Sequence, residues 1–130
     1  EVGIMTVVVR EAQDKDVFTI SRELREKTDL IKRGELPLEE MKGSTFTISS
    51  IGVQGIKTST VVLNPPESAM LAIGATEKRY IFDENDAPSI RNITTFCLTH
   101  NHTVLDGYHV GMFIDLLRTR LADPRAYMGL

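Results

Sequence analysis

The sequence predicts an α/β domain built on a mixed sheet with helices. Three observations carry this. Gly3–Val9 and Ala69–Ala75 are continuously apolar, the pattern of strands covered by helices on both faces. Two longer segments, beginning at Asp16 and at Tyr108, repeat apolar residues at helical spacing. Thr45–Ser50 alternates strictly, as a strand with two different faces does.

The elements follow in chain order. Gly3–Val9 is rich in β-branched residues and predicts a buried strand, with Arg10–Lys15 as a polar connection. Asp16 fits an N-cap. Val17, Ile20, Leu24 and Ile31 then share one helical stripe, with Thr28 in the gap. Charged residues from Arg22 to Asp29 fill the other side, so a helix with its apolar face on the sheet is expected, ending at Gly34 as its C′ residue. Pro37–Met41 suggests a short helical turn, broken by Lys42-Gly43-Ser44. In the next strand Phe46 and Ile48 lie on one side and Thr45, Thr47 and Ser49 on the other. Gly52 and Gly55 mark a loop, Thr60–Leu63 can extend again, and Asn64-Pro65-Pro66-Glu67 is a stiff connection.

Ala69–Ala75 predicts the second buried strand. Its Gly74 stands without the further glycines that a phosphate cradle needs. Arg79–Phe82 and Ile90–Leu98 predict two more strands around a polar hairpin loop, Asp83–Ser89. His109, Met112, Phe113, Leu116, Leu117 and Leu121 form the stripe of a final helix, which Pro124 ends. The pattern is β-α-β-β-β-β-α. Two long helices are few for covering a sheet of buried strands, and the chain starts at Glu1 rather than Met. An incomplete domain, or a neighbouring subunit that completes the cover, is therefore expected.

Composition excludes several classes. The 130 residues suffice for one small domain, and 42% hydrophobic with 25% charged residues is ordinary for a globular protein. A net charge of −3 carries no basic surplus for displacing counterions from nucleic acid. No apolar run is long enough to span a bilayer, and no signal peptide is visible, so no membrane partner is expected. The single cysteine, Cys97, cannot form an internal disulfide and suits a reducing compartment.

The chemistry concentrates in His100-Asn101-His102-Thr103-Val104-Leu105-Asp106-Gly107, between the last strand and the last helix. Rigid elements on both sides hold loop groups at such a joint. If the strand persisted through His102, His100 and His102 would share a face, with Asp106 available as a third metal ligand. Two neutral imidazoles on a strand also simply pack or face solvent, and no metal is expected. His109, on the apolar stripe, reads as a buried structural histidine. Cys97 lies on the strand side opposite His100 and reads as a core residue rather than a partner in a Cys-His dyad. There is no Gly-x-Ser-x-Gly elbow. The nucleophile that His102 activates can instead belong to the substrate: a thiol of pKa about 8.5 is mostly protonated at neutral pH, and an imidazole of about 6.5 is a suitable base for it. Asp106 is placed to cap the last helix, and Gly107 permits tight backbone beside it.

These residues, with others along the chain, resemble the catalytic domain of the dihydrolipoamide acyltransferases of 2-oxoacid dehydrogenase complexes, a domain similar in fold to chloramphenicol acetyltransferase. Gly3–Arg10 looks like the family's Gly-Leu-Ile-Val-Pro-Val-Ile-Arg strand, with Thr6 in place of the proline. Gly34-Glu35-Leu36 and the following Pro-Leu-Glu-Glu resemble Gly-Lys-Leu-x-x-Glu-Asp-Leu. Thr45–Gly52 is similar to Thr-Phe-Thr-Ile-Ser-Asn-Leu-Gly, Asn64-Pro65-Pro66 to Asn-Pro-Pro, and Leu121–Pro124 to Leu-x-Asp-Pro. His102–Gly107 matches His-x-x-x-Asp-Gly, although Asn101 and Thr103 stand where the family usually has Asp and Arg.

The resemblance covers the C-terminal part of the catalytic domain and implies a two-layer sandwich. It places no lipoyl or subunit-binding domain in residues 1–130. It implies His102 as the general base acting on the thiol of coenzyme A or dihydrolipoamide, Ser49 as the hydroxyl that stabilises the tetrahedral oxyanion, and Asp106 as the holder of the loop. The lipoyl group would arrive on a separate domain. The site would lie between subunits of a homotrimer, and trimers would assemble into a larger core with 2-oxoacid dehydrogenase and dihydrolipoamide dehydrogenase components. The cytoplasm, or the mitochondrial matrix in a eukaryote, is the expected location. Two other functions fit the same residues. One is a non-catalytic trimeric assembly core. The other is a chloramphenicol-type acetyltransferase with a hydroxyl acceptor.

Overall fold

The computed structural model describes residues 5–128. The chain divides into two compact units, one formed by the segments up to Ser44 and from Gly111 onward, the other by Thr45–Val110.

In the first unit the expected helix forms as α1, Val17–Arg33. Both of its ends are set by local chemistry. The Asp16 carboxylate accepts the Thr19 N–H at 2.6 Å, and Gly34 adopts φ 72°, where a Cβ is disfavoured, donating to Ile31. One face of α1 carries an ion cluster. Lys27 Nζ donates to Glu23 and Glu40 at 2.8 Å each and to the Val8 carbonyl, and Lys15 reaches Glu23 at 2.5 Å. The apolar stripe on α1 is not covered as expected. Val17 is 36% and Leu24 37% exposed, and with Ile20 and Thr28 they line an open groove of about 590 Å³.

The expected strand Gly3–Val9 also differs. Gly3 and Ile4 lie outside the described residues, and Met5–Val9 forms no ladder. Its Val8 N–H bonds instead to the Glu40 carbonyl, at the short helical turn Leu38–Met41. β-branched composition favours extension, but a strand also needs a neighbour to pair with.

The second unit holds a three-stranded mixed sheet: β1 Thr47–Ser50, β2 Ala69–Phe82 and β3 Pro88–His100, in the order β1-β2-β3. β1 runs parallel to the start of β2, pairing Thr47 with Met70 through Ser50 with Ile73. β2 and β3 are an antiparallel hairpin closed by Asp83, whose carboxylate accepts the N–H groups of Asn85 and Ala87. The expected strands Ala69–Ala75 and Arg79–Phe82 are one continuous strand. Ile73 pairs with Phe96 and Thr76 with Thr94, so Gly74 and Ala75 together oppose Thr95 in a β-bulge. Thr60–Leu63 does not extend into a strand.

The bulge has a packing cause. After β1 the chain continues along the β2 edge, with Ile51 N–H donating to Ile73 and Ala75 N–H to Ile56. Gly74 meets Lys57 there, and a Cβ on Gly74 would stand 2.0 Å from the Lys57 carbonyl oxygen. The best-buried part of the sheet is the half of β2 covered by β1, where Ala69, Leu71 and Ala72 are 8, 4 and 0% exposed. Beyond it β2 and β3 continue as a two-stranded arm that exposes Tyr80, Phe82 and Ile90.

Two helices follow, α2 Gly107–Ala122 and α3 Arg125–Met128. The stripe predicted on α2 is present, but Met112, Phe113, Leu116 and Leu121 are 40–57% exposed.

Candidate active site

His102 lies in the turn between β3 and α2. The strand ends at His100, so the two histidines are not neighbours on one strand face. Asn101 builds the turn. Its N–H donates to the Ser68 carbonyl at 2.8 Å, its own carbonyl accepts from Val104 and Leu105, and its side-chain oxygen accepts the N–H and hydroxyl of Thr103. An asparagine that closes on the second residue after it is a standard way to tighten a turn. His102 is carried exposed at the turn, with its ring 5.5 Å from that of His100. The His102 ring forms no hydrogen bond among the described residues, which leaves both nitrogens available to a substrate.

Asp106 closes the turn. Its carboxylate accepts the His109 N–H at 3.0 Å and contacts His109 Nδ1 at 2.7 Å. This is the N-cap expected of it. The His109 backbone bond and then the His109 ring bond hold its carboxyl below the ordinary aspartate value. His109 is therefore a partner of the cap, not a buried core histidine: its side chain is 61% exposed. No group of three metal-ligating side chains occurs among the described residues.

Ser49 is half-buried on β1. The register sets it beside Ala72, which pairs with Cys97, so Ser49, Ala72 and the half-buried Cys97 form one row across the sheet. His100 is three residues past Cys97, which turns it to the opposite face. Two strand spacings across and three residues along separate Ser49 from His100 by roughly 14 Å. One chain thus sets Ser49 and the end of the strand that leads to His102 on opposite faces of the sheet.

One buried polar residue escaped the sequence reading. Glu67, 4% exposed, accepts the Thr47 hydroxyl at 2.8 Å. A carboxylate directly after Pro65-Pro66 and two residues before an apolar strand was the available signal, since a buried charge needs partners.

Comparison with known proteins gives a consistent result. Residues 1–129 match the family described as 2-oxoacid dehydrogenases acyltransferase (catalytic domain). The dihydrolipoyllysine-residue acetyltransferase component of the pyruvate dehydrogenase complex of Rickettsia felis is 35% identical over 124 residues, covering 95% of this chain and 30% of that protein. Among solved structures, the dihydrolipoamide acetyltransferase of Azotobacter vinelandii superposes with a TM-score of 0.87 at 29% identity, covering 95% of this chain and 51% of that one. That protein was studied for the role of a serine, a histidine and an asparagine in its catalytic mechanism. The cubic core of a pyruvate dehydrogenase multienzyme complex also gives a TM-score of 0.87, at 28% identity and the same coverages. The chain thus spans about a third of the length of the curated relative and about half of the solved chains.

Proposed function

The chain belongs to the family of 2-oxoacid dehydrogenase acyltransferase catalytic domains, and from this we propose that it is the C-terminal portion of such a domain, moving an acyl group between a dihydrolipoyl thiol and coenzyme A. The observation that carries this is His102, exposed in a turn that is anchored at both ends and followed four residues later by its capping aspartate, in a chain matched along nearly its whole length.

The chemistry follows from the groups present. A His102 ring nitrogen takes the proton of the attacking thiol. The thiolate adds to the acyl thioester carbonyl, and the oxyanion accepts a hydrogen bond from the Ser49 hydroxyl of another copy. The adduct collapses, the carbon–sulfur bond to the leaving thiolate breaks, and the imidazolium returns its proton to that thiolate. No acyl-enzyme forms. One such donor to an oxyanion contributes about 3–4 kcal/mol at the transition state.

A homotrimer fits both the exposed apolar stripes on α1 and α2 and the placement of Ser49 and the end of β3 on opposite faces of one sheet. Trimers would build a larger core that works with the 2-oxoacid dehydrogenase and dihydrolipoamide dehydrogenase components, in the cytoplasm or the mitochondrial matrix. The lipoyl and subunit-binding domains would lie outside residues 1–130. A second reading, an assembly core without chemistry, is favoured by one observation: Asn101 and Thr103 satisfy each other in an uncharged turn and offer the base no ionic partner.

The deciding experiment is acyl transfer from acyl-CoA to dihydrolipoamide by the full-length protein and by His102→Ala. Transfer by the parent, reduced about 10²- to 10⁴-fold in the variant, is expected. A well-folded trimer that transfers no acyl group would overturn the enzyme in favour of the assembly core.

A further inference from the structure

We propose that Glu67 is a positioning residue that ties the strand carrying Ser49 to the turn carrying His102. The proposal rests on the function given above.

Glu67 and Ser68 reach both catalytic segments from one short stretch of backbone. On one side, Glu67 Oε1 accepts the Thr47 hydroxyl at 2.8 Å. Thr47 opens β1 two residues before Ser49, so the two side chains share a face, and its partner in the register is Met70. On the other side, the Ser68 carbonyl accepts the Asn101 N–H at 2.8 Å, one residue before His102. The stretch is itself held from behind, since Glu67 N–H donates to the Asn64 carbonyl at 2.9 Å. One residue further, Ala69 pairs with His100.

Burial makes this more than a surface contact. Glu67 is 4% exposed. A carboxyl group in such a place is shielded from water, so the Thr47 hydroxyl that donates to it helps to set its geometry and has its own set in return. Ser49 makes no hydrogen bond among the described residues that would orient it. The position of its strand is then the means by which its hydroxyl is aimed, and the Thr47–Glu67 bond holds that strand two residues away on the same face. Misplacing a reacting group by about 1 Å is enough to lower a rate by up to roughly a hundredfold.

The test uses the full-length protein with Thr47→Val, Thr47→Ser and Glu67→Ala, read by steady-state kinetics and by amide hydrogen exchange. Thr47→Val keeps the shape and loses the donor. It is expected to lower kcat roughly tenfold to a hundredfold with KM within about twofold, while Thr47→Ser retains the parent's kcat. In Glu67→Ala, exchange is expected to quicken at Ile48–Ser50 and Asn101–Thr103 and to stay unchanged in the Lys78–Asn92 arm. An active parent whose Thr47→Val variant keeps full kcat would overturn the positioning role and leave the acyltransferase intact. Uniformly faster exchange, arm included, would make Glu67 a general stabiliser only and likewise overturn it. Should the parent transfer nothing, the acyltransferase fails, and the exchange pattern alone still decides whether Glu67 joins the two segments.

Discussion

Replacing Gly74 by Ala tests the account of the β-bulge, and every atom that resists the change is backbone. The added Cβ would stand 2.0 Å from the Lys57 carbonyl oxygen, 2.8 Å from its carbonyl carbon and 3.2 Å from the Thr95 carbonyl oxygen. Side chains cannot swing aside to relieve this. To bring the first contact even to 3.0 Å, the segment around Lys57 and the β2 edge must part by about 1 Å. The Ala75 N–H to Ile56 carbonyl bond, now 2.8 Å, would be lost at that separation. Overpacking of this kind costs about 1–3 kcal/mol, and an unmade buried hydrogen bond about 1–3 kcal/mol more. At about 3–5 °C per kcal/mol for a chain of this size, the melting temperature should fall by at least about 6 °C. Scanning calorimetry of the full-length protein and the variant measures it. Gly111→Ala is the control: its Cβ meets nothing within 4 Å inside α2, and it should leave stability unchanged or raise it by up to about 1 kcal/mol. A Gly74→Ala protein melting within about 2 °C of the parent would refute the close-approach explanation of the bulge.

Ser49→Ala should lower kcat about 10²- to 10³-fold, and trimers reassembled from a mixture of Ser49→Ala and His102→Ala chains should recover part of the activity, because some sites then receive one intact group from each chain. Mixed trimers as inactive as either variant would place the two groups in one chain's site, against the proposed site between copies. Lys27→Met should destabilise the fold by about 1–2 kcal/mol in urea titrations, since it removes a half-hidden ammonium with three acceptors. Bonds first from Lys15 and then from Lys27 hold Glu23 below its ordinary value of 4.5, and Lys27 does the same for Glu40, so their contribution is present above pH 4.5 and lost as the pH falls below it. Burial pulls Lys27 down, but its bonds to Glu23 and Glu40 outweigh this and raise it, so its contribution is complete below pH 10.5 and lost above. The variant should therefore show a shallower loss of stability on both limbs of the pH profile. Asp106→Asn should keep the α2 cap and near-parental activity, whereas Asp106→Ala should fray the first turn, seen as faster exchange of the His109 amide. In the parent the same fraying should set in only as the pH falls below 3.8, because the carboxyl is held below that value by His109.

Much of the local structure was legible from single residues. Asp16 and Gly34 bound α1, Asp83 closes the hairpin and Asp106 caps α2, and each does so through its own side chain or backbone freedom within a few residues of chain. Local signals of this kind survive in any context, which is why they could be read in order. The family was legible for a related reason, because short stretches such as Thr45–Gly52 and His102–Gly107 keep their order and spacing along the chain.

The sequence by itself determined the residue types to which chemistry is assigned in the proposal, the caps and turns that hold them, and the alternation that puts Thr47 and Ser49 on one face. Only the tertiary structure decided which runs find partners. Met5–Val9 has the composition of a strand but no ladder, Ala69–Phe82 is one strand because a bulge absorbs the approach of Lys57 to Gly74, and β3 stops at His100 because Asn101 turns the chain. The burial of Glu67, the exposure of His109 and the separation of Ser49 from His100 belong to the same class. Each depends on contacts between residues far apart in the chain, and the energy of such a contact is written in neither residue alone.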